Sequence, residues 1–251
     1  FGTASFALSQ SYPTKPIRLI VPNPPGGGTD TVARLIAQKI SPALGQQIIV
    51  DNRSGGGGRI GAELAARSPN DGYTLFLGSA SSLITGPALY PEQTNYDPIK
   101  DFSPISIAAT TAYILAAHPS VPAKSVKDLI KIARGKKGSL TYGSTGPGSS
   151  AHLGMKLFES MAKVSLIHVP FKGSSPAMVS LTSGEIDIMF GNYQATLGLV
   201  RAGRLRALAQ SSLNRSTLAP DIPTVSEGGV PGFELTQIYS VVSPNGVPPE
   251  I

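Results

Sequence analysis

Apolar positions along the 251-residue chain fall into two kinds of run. Short, mostly apolar runs at 17–21, 47–50, 73–77, 166–170, 186–190 and 205–209 are too brief for helices and read as strands buried on both faces. Between them, apolar residues recur at helical spacing. In 31–40, Val32, Leu35, Ile36 and Ile40 form one face, with Arg34, Gln38 and Lys39 between them. Thr29 or Asp30 is a ready N-cap for that helix. Further helices are predicted at about 60–67, at 125–134, through Leu153, Leu157, Phe158 and Met161, and at 177–182 and 197–201. Ser125 and Asp128 mark the second of these in capping-box style, and Pro176 suits the first helical position of the 177–182 helix.

Strand and helix alternate from 17 to 77, which predicts a parallel sheet flanked by helices. A section rich in proline and aspartate, 87–104, breaks that rhythm, and an extended segment follows at 105–117. A second strand–helix series then runs from 140 to 209, and another extended segment, 233–242, carries the chain back. The expectation is two α/β lobes: 12–111 with 228–251, and 112–227. Two crossings would hinge them about a cleft. Ligands of open α/β sheets bind beyond the carboxyl ends of the strands, which is where the glycine- and serine-rich turns fall.

Composition narrows the chemistry. There are no cysteines, hence no disulfide, thiolate metal site or cysteine nucleophile. Twenty-one Lys and Arg against fifteen Asp and Glu give a net charge of +6, scattered and without aromatic interleaving, so nucleic-acid binding has little support. A mild positive field suits small acidic ligands. No apolar run approaches the ~20 residues of a membrane span, so the chain is not expected to insert in one. Residues 1–11 read as the remnant of a secretory signal, with Ala7-Leu8-Ser9 as a small-x-small cleavage site, or else as a disordered end.

The strongest site candidate is the turn from Asn23 to Asp30. Its glycines let backbone N–H groups approach a guest, and a helix N-terminus favours an anion. Asn23, Pro24, Gly27, Gly28 and Thr29 are the expected contacts. Asp30 belongs to the same turn, but as a cap or hinge, because a carboxylate repels an anionic guest. Gly78, Ser79 and Ala80 end one strand, and Ser144, Thr145, Gly148, Ser149 and Ser150 follow another; hydroxyls there can donate and accept. His152 is a candidate neutral donor, Lys172 beside Gly173 a candidate cation, and Asn192 a candidate amide contact. No Gly-Lys-Ser/Thr follows the glycines, no His-x-x-x-His occurs, and no Gly-x-Ser-x-Gly elbow is present, so nucleotide, metal and elbow-type nucleophile chemistry find no motif. No cofactor is expected.

Several motifs occur in order: Tyr12-Pro-x-Lys-Pro-Ile-Arg-x-Ile-Val-Pro22, Pro25-Gly-Gly-Gly-Thr-Asp30, Val50-Asp-Asn-Arg53, Asp71-Gly-Tyr-Thr-Leu75, Leu140-x-Tyr-Gly-Ser144, His168-Val-Pro-x-Lys-Gly173, Arg201-Ala-Gly-x-Leu-Arg-Ala-Leu208 and Pro223-Thr-Val-x-Glu227. Together they resemble the Bug (Bordetella uptake) receptors, the periplasmic solute-binding proteins of tripartite tricarboxylate transporters. The resemblance implies a two-lobed α/β periplasmic-binding-protein fold of the second topological type, closing in Venus-flytrap fashion. It implies a mono-, di- or tricarboxylate guest, aromatic acids included, held between the lobes by backbone groups, hydroxyls and water. It also implies a monomer, exported by a cleaved signal, that serves membrane permease subunits. Asn23 stands where such receptors often carry an aromatic residue, and Gly191 where many carry an acidic one. They also run several dozen residues beyond the position of Ile251. Two other classes stay open: a hydrolase or transferase using a serine of 144–150, and a ligand-binding sensor not coupled to transport.

Overall fold

The computed structural model describes residues 12–135 and 140–251. The expected signal remnant at 1–11 lies outside the described residues. Strands β1 (Ile17–Val21), β2 (Ile48–Asn52) and β3 (Thr74–Ser79) alternate with helices α1 (Gly28–Leu44) and α2 (Arg59–Ala66). A short helix α3 (Gly86–Leu89) leads to the long strand β4 (Phe102–Ala117). Helix α4 (Val126–Gly135), strand β5 (Thr141–Ser144), helix α5 (Ser150–Ala162), strand β6 (Ile167–Pro170) and helix α6 (Ser174–Ser183) follow. Strand β7 (Ile188–Asn192), helix α7 (Tyr193–Arg201) and strands β8 (Arg206–Gln210) and β9 (Thr236–Pro244) complete the chain.

The strands run in the order β2-β1-β3-β9-β4-β7-β5-β6, with β8 also paired to β4. At each end the pairing is parallel, β1 with β2 and β3, and β5 with β6 and β7. The centre is antiparallel, because β4 and β9 run against each other and against their neighbours. β4 is the spine. Its residues 102–112 pair with β9, whereas Tyr113 to Ala117 pair with β7, and Ile114 to Ala117 also meet β8. The ladder with β9 shifts register between Pro104 and Ser106, where a proline without an N–H is tolerated at a bulge.

Strand alternation sorts side chains onto two faces of each lobe. In the first lobe, Ile20 and Phe76 pack with Ala62 and Ala65 of α2, while Leu19, Val21 and Leu77 pack with Ala33 of α1. In the second, Leu115, Ala117, Ile188 and Phe190 face α4 and α5, whereas Ile114, Ala116 and Met189 face Leu181 of α6 and Tyr193 of α7. Burial on both faces is why these strands read as unbroken apolar runs. Along the return path, Val230 and Phe233 are still buried in the second core, and Leu235 packs against it. We therefore propose that the return crossing falls at Leu235–Thr236, later than the expected 227–228, with the outward crossing at Ala112–Tyr113.

Three helix starts differ from expectation, the third being α7, which begins at Tyr193 with Asn192 as its cap, four residues before the expected 197. Helix α1 begins at Gly28 with Gly27 as its cap residue, not Thr29 or Asp30. Both are already inside the first turn, so their side chains serve the preceding loop. Helix α6 begins at Ser174, which puts Pro176 in its third position, not its first. The first-turn N–H groups of a helix have no partner within it, so proline costs little at either place.

Candidate functional site

The turns after β1, β3, β5, β6 and β7 converge on the β4–β9 crossing. They enclose an inner cavity of about 60 Å³ between the lobes. From the first lobe come Asn23, Gly27, Gly28, Thr29, Ser79 and Ser81; from the second, Thr145, Ser150, Ser174 and Asn192. Tyr113, Gln237 and Tyr239 of the crossing strands form its floor, with Met189 and Phe190 of β7. Among the described residues, no charged side chain lines it.

Local hydrogen bonds explain this shape. Asp30 is buried and ties the first turn together: it accepts from the Gly26 N–H at 3.0 Å, Arg34 Nε at 2.9 Å and Asn52 Nδ2 at 3.0 Å. Burial pushes its carboxyl up, but those donors outweigh burial and hold it below the ordinary carboxylate range. Asp30 therefore organises the loop without reaching the cavity. Thr29 donates to Asn23 Oδ1 at 2.9 Å, and Asn52 donates to the Asn23 carbonyl at 2.9 Å, which fixes Asn23 at the rim. On the floor, Tyr113 donates to Gln237, and Asn192 Nδ2 lies 3.5 Å from Tyr239 Oη. Burial pushes the Tyr239 phenol up to about 12 and raises Tyr113 further still, so both stay protonated donors at neutral pH.

A larger chamber of about 640 Å³ adjoins the inner cavity and shares Asn23 and Thr145 with it. Pro24, Lys172 and Gly173 line this chamber, as do the four glycines of 55–58, Arg59, Tyr90 and Phe171. The lobes touch around both spaces. Thr85 Oγ1 donates to the Gly148 carbonyl at 2.9 Å, and a methyl group placed on Gly173 would come within 3.2 Å of Pro24 Cγ.

Of the residues expected from sequence, Asn23, Gly27, Gly28, Thr29, Ser79, Thr145, Ser150 and Asn192 come together in the inner cavity, and Pro24, Lys172 and Gly173 in the outer one. Asp30, Gly78, Ala80, Ser144, Gly148, Ser149 and His152 line neither space. Gly78 lies inside β3, where an added methyl would meet Leu83 Cδ1 at 2.4 Å. Ser149 caps α5, its Oγ accepting from the His152 N–H at 3.3 Å. His152 Nδ1 accepts from the Gly148 N–H at 3.1 Å, and its ring stacks 4.2 Å from that of His168. It supports the loop from behind. Ser81 and Ser174 sit in the strand-end loop 78–82 and at the helix start beside Lys172, both of which the sequence marks; Tyr113, Gln237, Tyr239, Arg59 and Tyr90 carried no sequence signal, since each becomes a wall residue only when distant segments meet.

Ser144 Oγ and His168 Nε2 lie 2.7 Å apart, a serine–histidine pair in the loop singled out for a hydrolase. Ser144 is fully buried, and its Oγ also bonds the Gly146 N–H at 3.1 Å. Burial, then the neighbouring His152 and Lys156, lower the His168 pKa to about 4, which makes it a poor base. The pair holds the loop and offers no accessible nucleophile. Among the described residues, no group of three His, Asp or Glu could hold a metal ion. No described helix is long and apolar enough to cross a membrane.

Known proteins give the same picture. Residues 32–251 match the tripartite tricarboxylate transporter family receptor model, TctC. The chain is 38% identical over 251 residues to BugT of Bordetella pertussis, an alignment covering all of this chain and 77% of that protein. Among solved structures, R. palustris Rpa4515 with adipate superposes at a TM-score of 0.92 with 38% identity, covering 95% of this chain and 80% of that one. MatC of Rhodopseudomonas palustris with bound malate superposes at 0.86 with 31% identity, covering 94% and 80%. These are binding proteins, in keeping with a cleft that offers donors but no reacting group. The chain belongs to the TctC family of tripartite tricarboxylate transporter receptors, the group that includes the Bug proteins.

Proposed function

We propose that this protein is a periplasmic receptor that closes its two lobes on a small organic carboxylate and presents it to the membrane subunits of a tripartite transporter. The observation that carries this reading is the inner cavity: both lobes contribute to it, and its polar walls are uncharged hydroxyl, amide and backbone groups. A carboxylate needs several N–H and O–H groups at once, and desolvated charge-assisted bonds are about twice as strong as neutral ones. Micromolar binding requires about 8 kcal/mol, within reach of several such bonds. Closure follows from differential binding, because only the closed form brings Gly28 and Thr29 to the same guest as Thr145 and Asn192. That Rpa4515 and MatC carry adipate and malate supports the choice of guest.

Calorimetry and thermal-shift measurements across mono-, di- and tricarboxylates, aromatic acids included, test the reading. At least one acid is expected to bind and to raise the unfolding temperature. A protein indifferent to all of them is not a carboxylate receptor. Co-purification with permease subunits from a membrane extract tests the transport role separately.

A further inference from the structure

The loop 145–149, between β5 and α5, contributes Thr145 to both cleft spaces and leads into Ser150 of the inner cavity. Gly146 and Gly148 stand at φ 124° and 76°, so the shape of this loop is imposed by its partners. Those partners are two histidines. The Gly148 N–H donates to His152 Nδ1 at 3.1 Å. Ser144 Oγ accepts from the Gly146 N–H at 3.1 Å and lies 2.7 Å from His168 Nε2. The two imidazoles stack 4.2 Å apart, and Tyr142 stacks on His168 at 4.8 Å. On its other side, the Gly148 carbonyl accepts from Thr85 Oγ1 of the first lobe at 2.9 Å. One glycine thus connects the histidine pair to a contact between the lobes.

A backbone N–H can only donate, so His152 Nδ1 has to be bare. A proton there removes the acceptor and sets two N–H groups against each other. Lys156 and Glu159 of α5 and Tyr142 of β5 face the pair; β7, the other neighbour of β5, carries no titratable side chain. Glu159 is engaged by Lys156 at 2.8 Å and by the Leu166 N–H at 2.7 Å, and burial raises the Tyr142 phenol, which stays neutral. Burial, then Lys156, lower His152; burial, then His152 and Lys156, lower His168 to about 4; Glu159 opposes both. With His168 so low, a proton arriving above that pH settles on His152.

We propose that His152 and His168 are positioning residues that make capture of the guest proton-sensitive: the neutral pair holds loop 145–149 in its binding shape, and a proton on His152 Nδ1 releases the loop and the guest with it. The proposal rests on the carboxylate-receptor reading above. Closure needs the bare nitrogen, so proton and acid compete. Affinity is therefore full above the ordinary histidine value of 6.5 and falls as the pH drops below it.

Calorimetric titration from pH 7.5 to 5.5, with the strongest binder among adipate, malate, citrate and benzoate, tests this. Wild-type affinity should fall by about fivefold or more across that range, since one competing proton approaches tenfold per pH unit. His152→Asn places an uncharged side-chain oxygen where Nδ1 accepts. It should bind within a few-fold of wild type at pH 7.5 and lose most of the pH dependence; any slope left over belongs to the acid's own carboxyl groups. In nitrogen–proton NMR spectra without acid, the Gly148 amide should titrate in wild type and not in His152→Asn. The unfolding temperature of the variant at pH 7.5 checks its fold. Equal pH dependence of affinity in both proteins, or a Gly148 amide that does not respond to pH in wild type, overturns the proposal and leaves the receptor reading standing. If no acid binds wild type at pH 7.5, the carboxylate reading fails and this inference with it.

Discussion

Gly28 occupies a close approach of the two lobes: a methyl group there would come within 2.1 Å of Asn192 Nδ2 and 2.6 Å of Tyr239 Oη. Its role is steric, since it opens a helix and does not use a left-handed conformation. Gly28→Ala should therefore oppose closure more than folding. Overpacking of about 1–3 kcal/mol converts to a loss of ligand affinity of roughly 5- to 150-fold, read by calorimetry, with little change in the unfolding temperature of the free protein. Unaltered affinity would mean that closure does not bring these atoms together. His168 makes a prediction of another kind. Its pKa of about 4 in the folded chain lies below the ordinary 6.5, so between these values the unfolded chain binds a proton that the folded one does not. Stability should thus fall as pH drops from 6.5 to 4, and His152, also lowered by burial, acts in the same direction. Lys156 and Glu159 face the pair with opposite effects, and lowering wins. His168→Gln, which can still bond Ser144, should flatten the slope in urea unfolding at a series of pH values. The sequence pointed to His152 as a ligand donor, yet a histidine's role depends on which ring and which N–H it meets. Here those are His168 and Gly148, partners that no spacing rule brings forward.

Elements were easier to read than contacts. Strands β1, β3 and β7 lay within a few residues of the apolar runs, because burial on both faces leaves no polar alternation to confuse the pattern. Helix starts were less legible. Asp30 looks like an N-cap, but its carboxylate bonds back to Gly26, so the cap falls on Gly27. The turn wound at Ser81–Thr85 and the short α3 went unseen, since so brief a segment has no periodicity to display. Ser149 is the clearest test at this scale. Its hydroxyl was one candidate nucleophile, whereas the structure makes it the cap of α5. Ser149→Ala should lower stability by about 1 kcal/mol in chemical denaturation and leave ligand affinity intact. A large loss of binding with unchanged stability would return Ser149 to the site.

In the molecule as a whole, two antiparallel strands connect two parallel α/β units, and the contacts across the cleft include both apolar ones and hydrogen bonds. Thr85 to Gly148 is one of them. Thr85→Val keeps the shape but removes the donor, so affinity should fall by about fivefold, the worth of roughly 1 kcal/mol. Small-angle scattering should then show a smaller share of the compact form at a given acid concentration. An unchanged affinity would exclude this bond from the bound state. The sequence by itself determined the alternation of strands and helices, the glycine turns at strand ends, the lack of thiol and metal chemistry, and the family resemblance. These depend on local pattern: burial period, turn residues and composition. Only the tertiary structure decided which turns meet. Tyr113, Gln237 and Tyr239 become a floor because β4 and β9 cross between the lobes, and Arg59 and Lys172 line one chamber because the start of α2 and the loop after β6 border the same space. Such pairings join residues more than a hundred positions apart. They depend on sheet order and lobe angle, which no local pattern encodes.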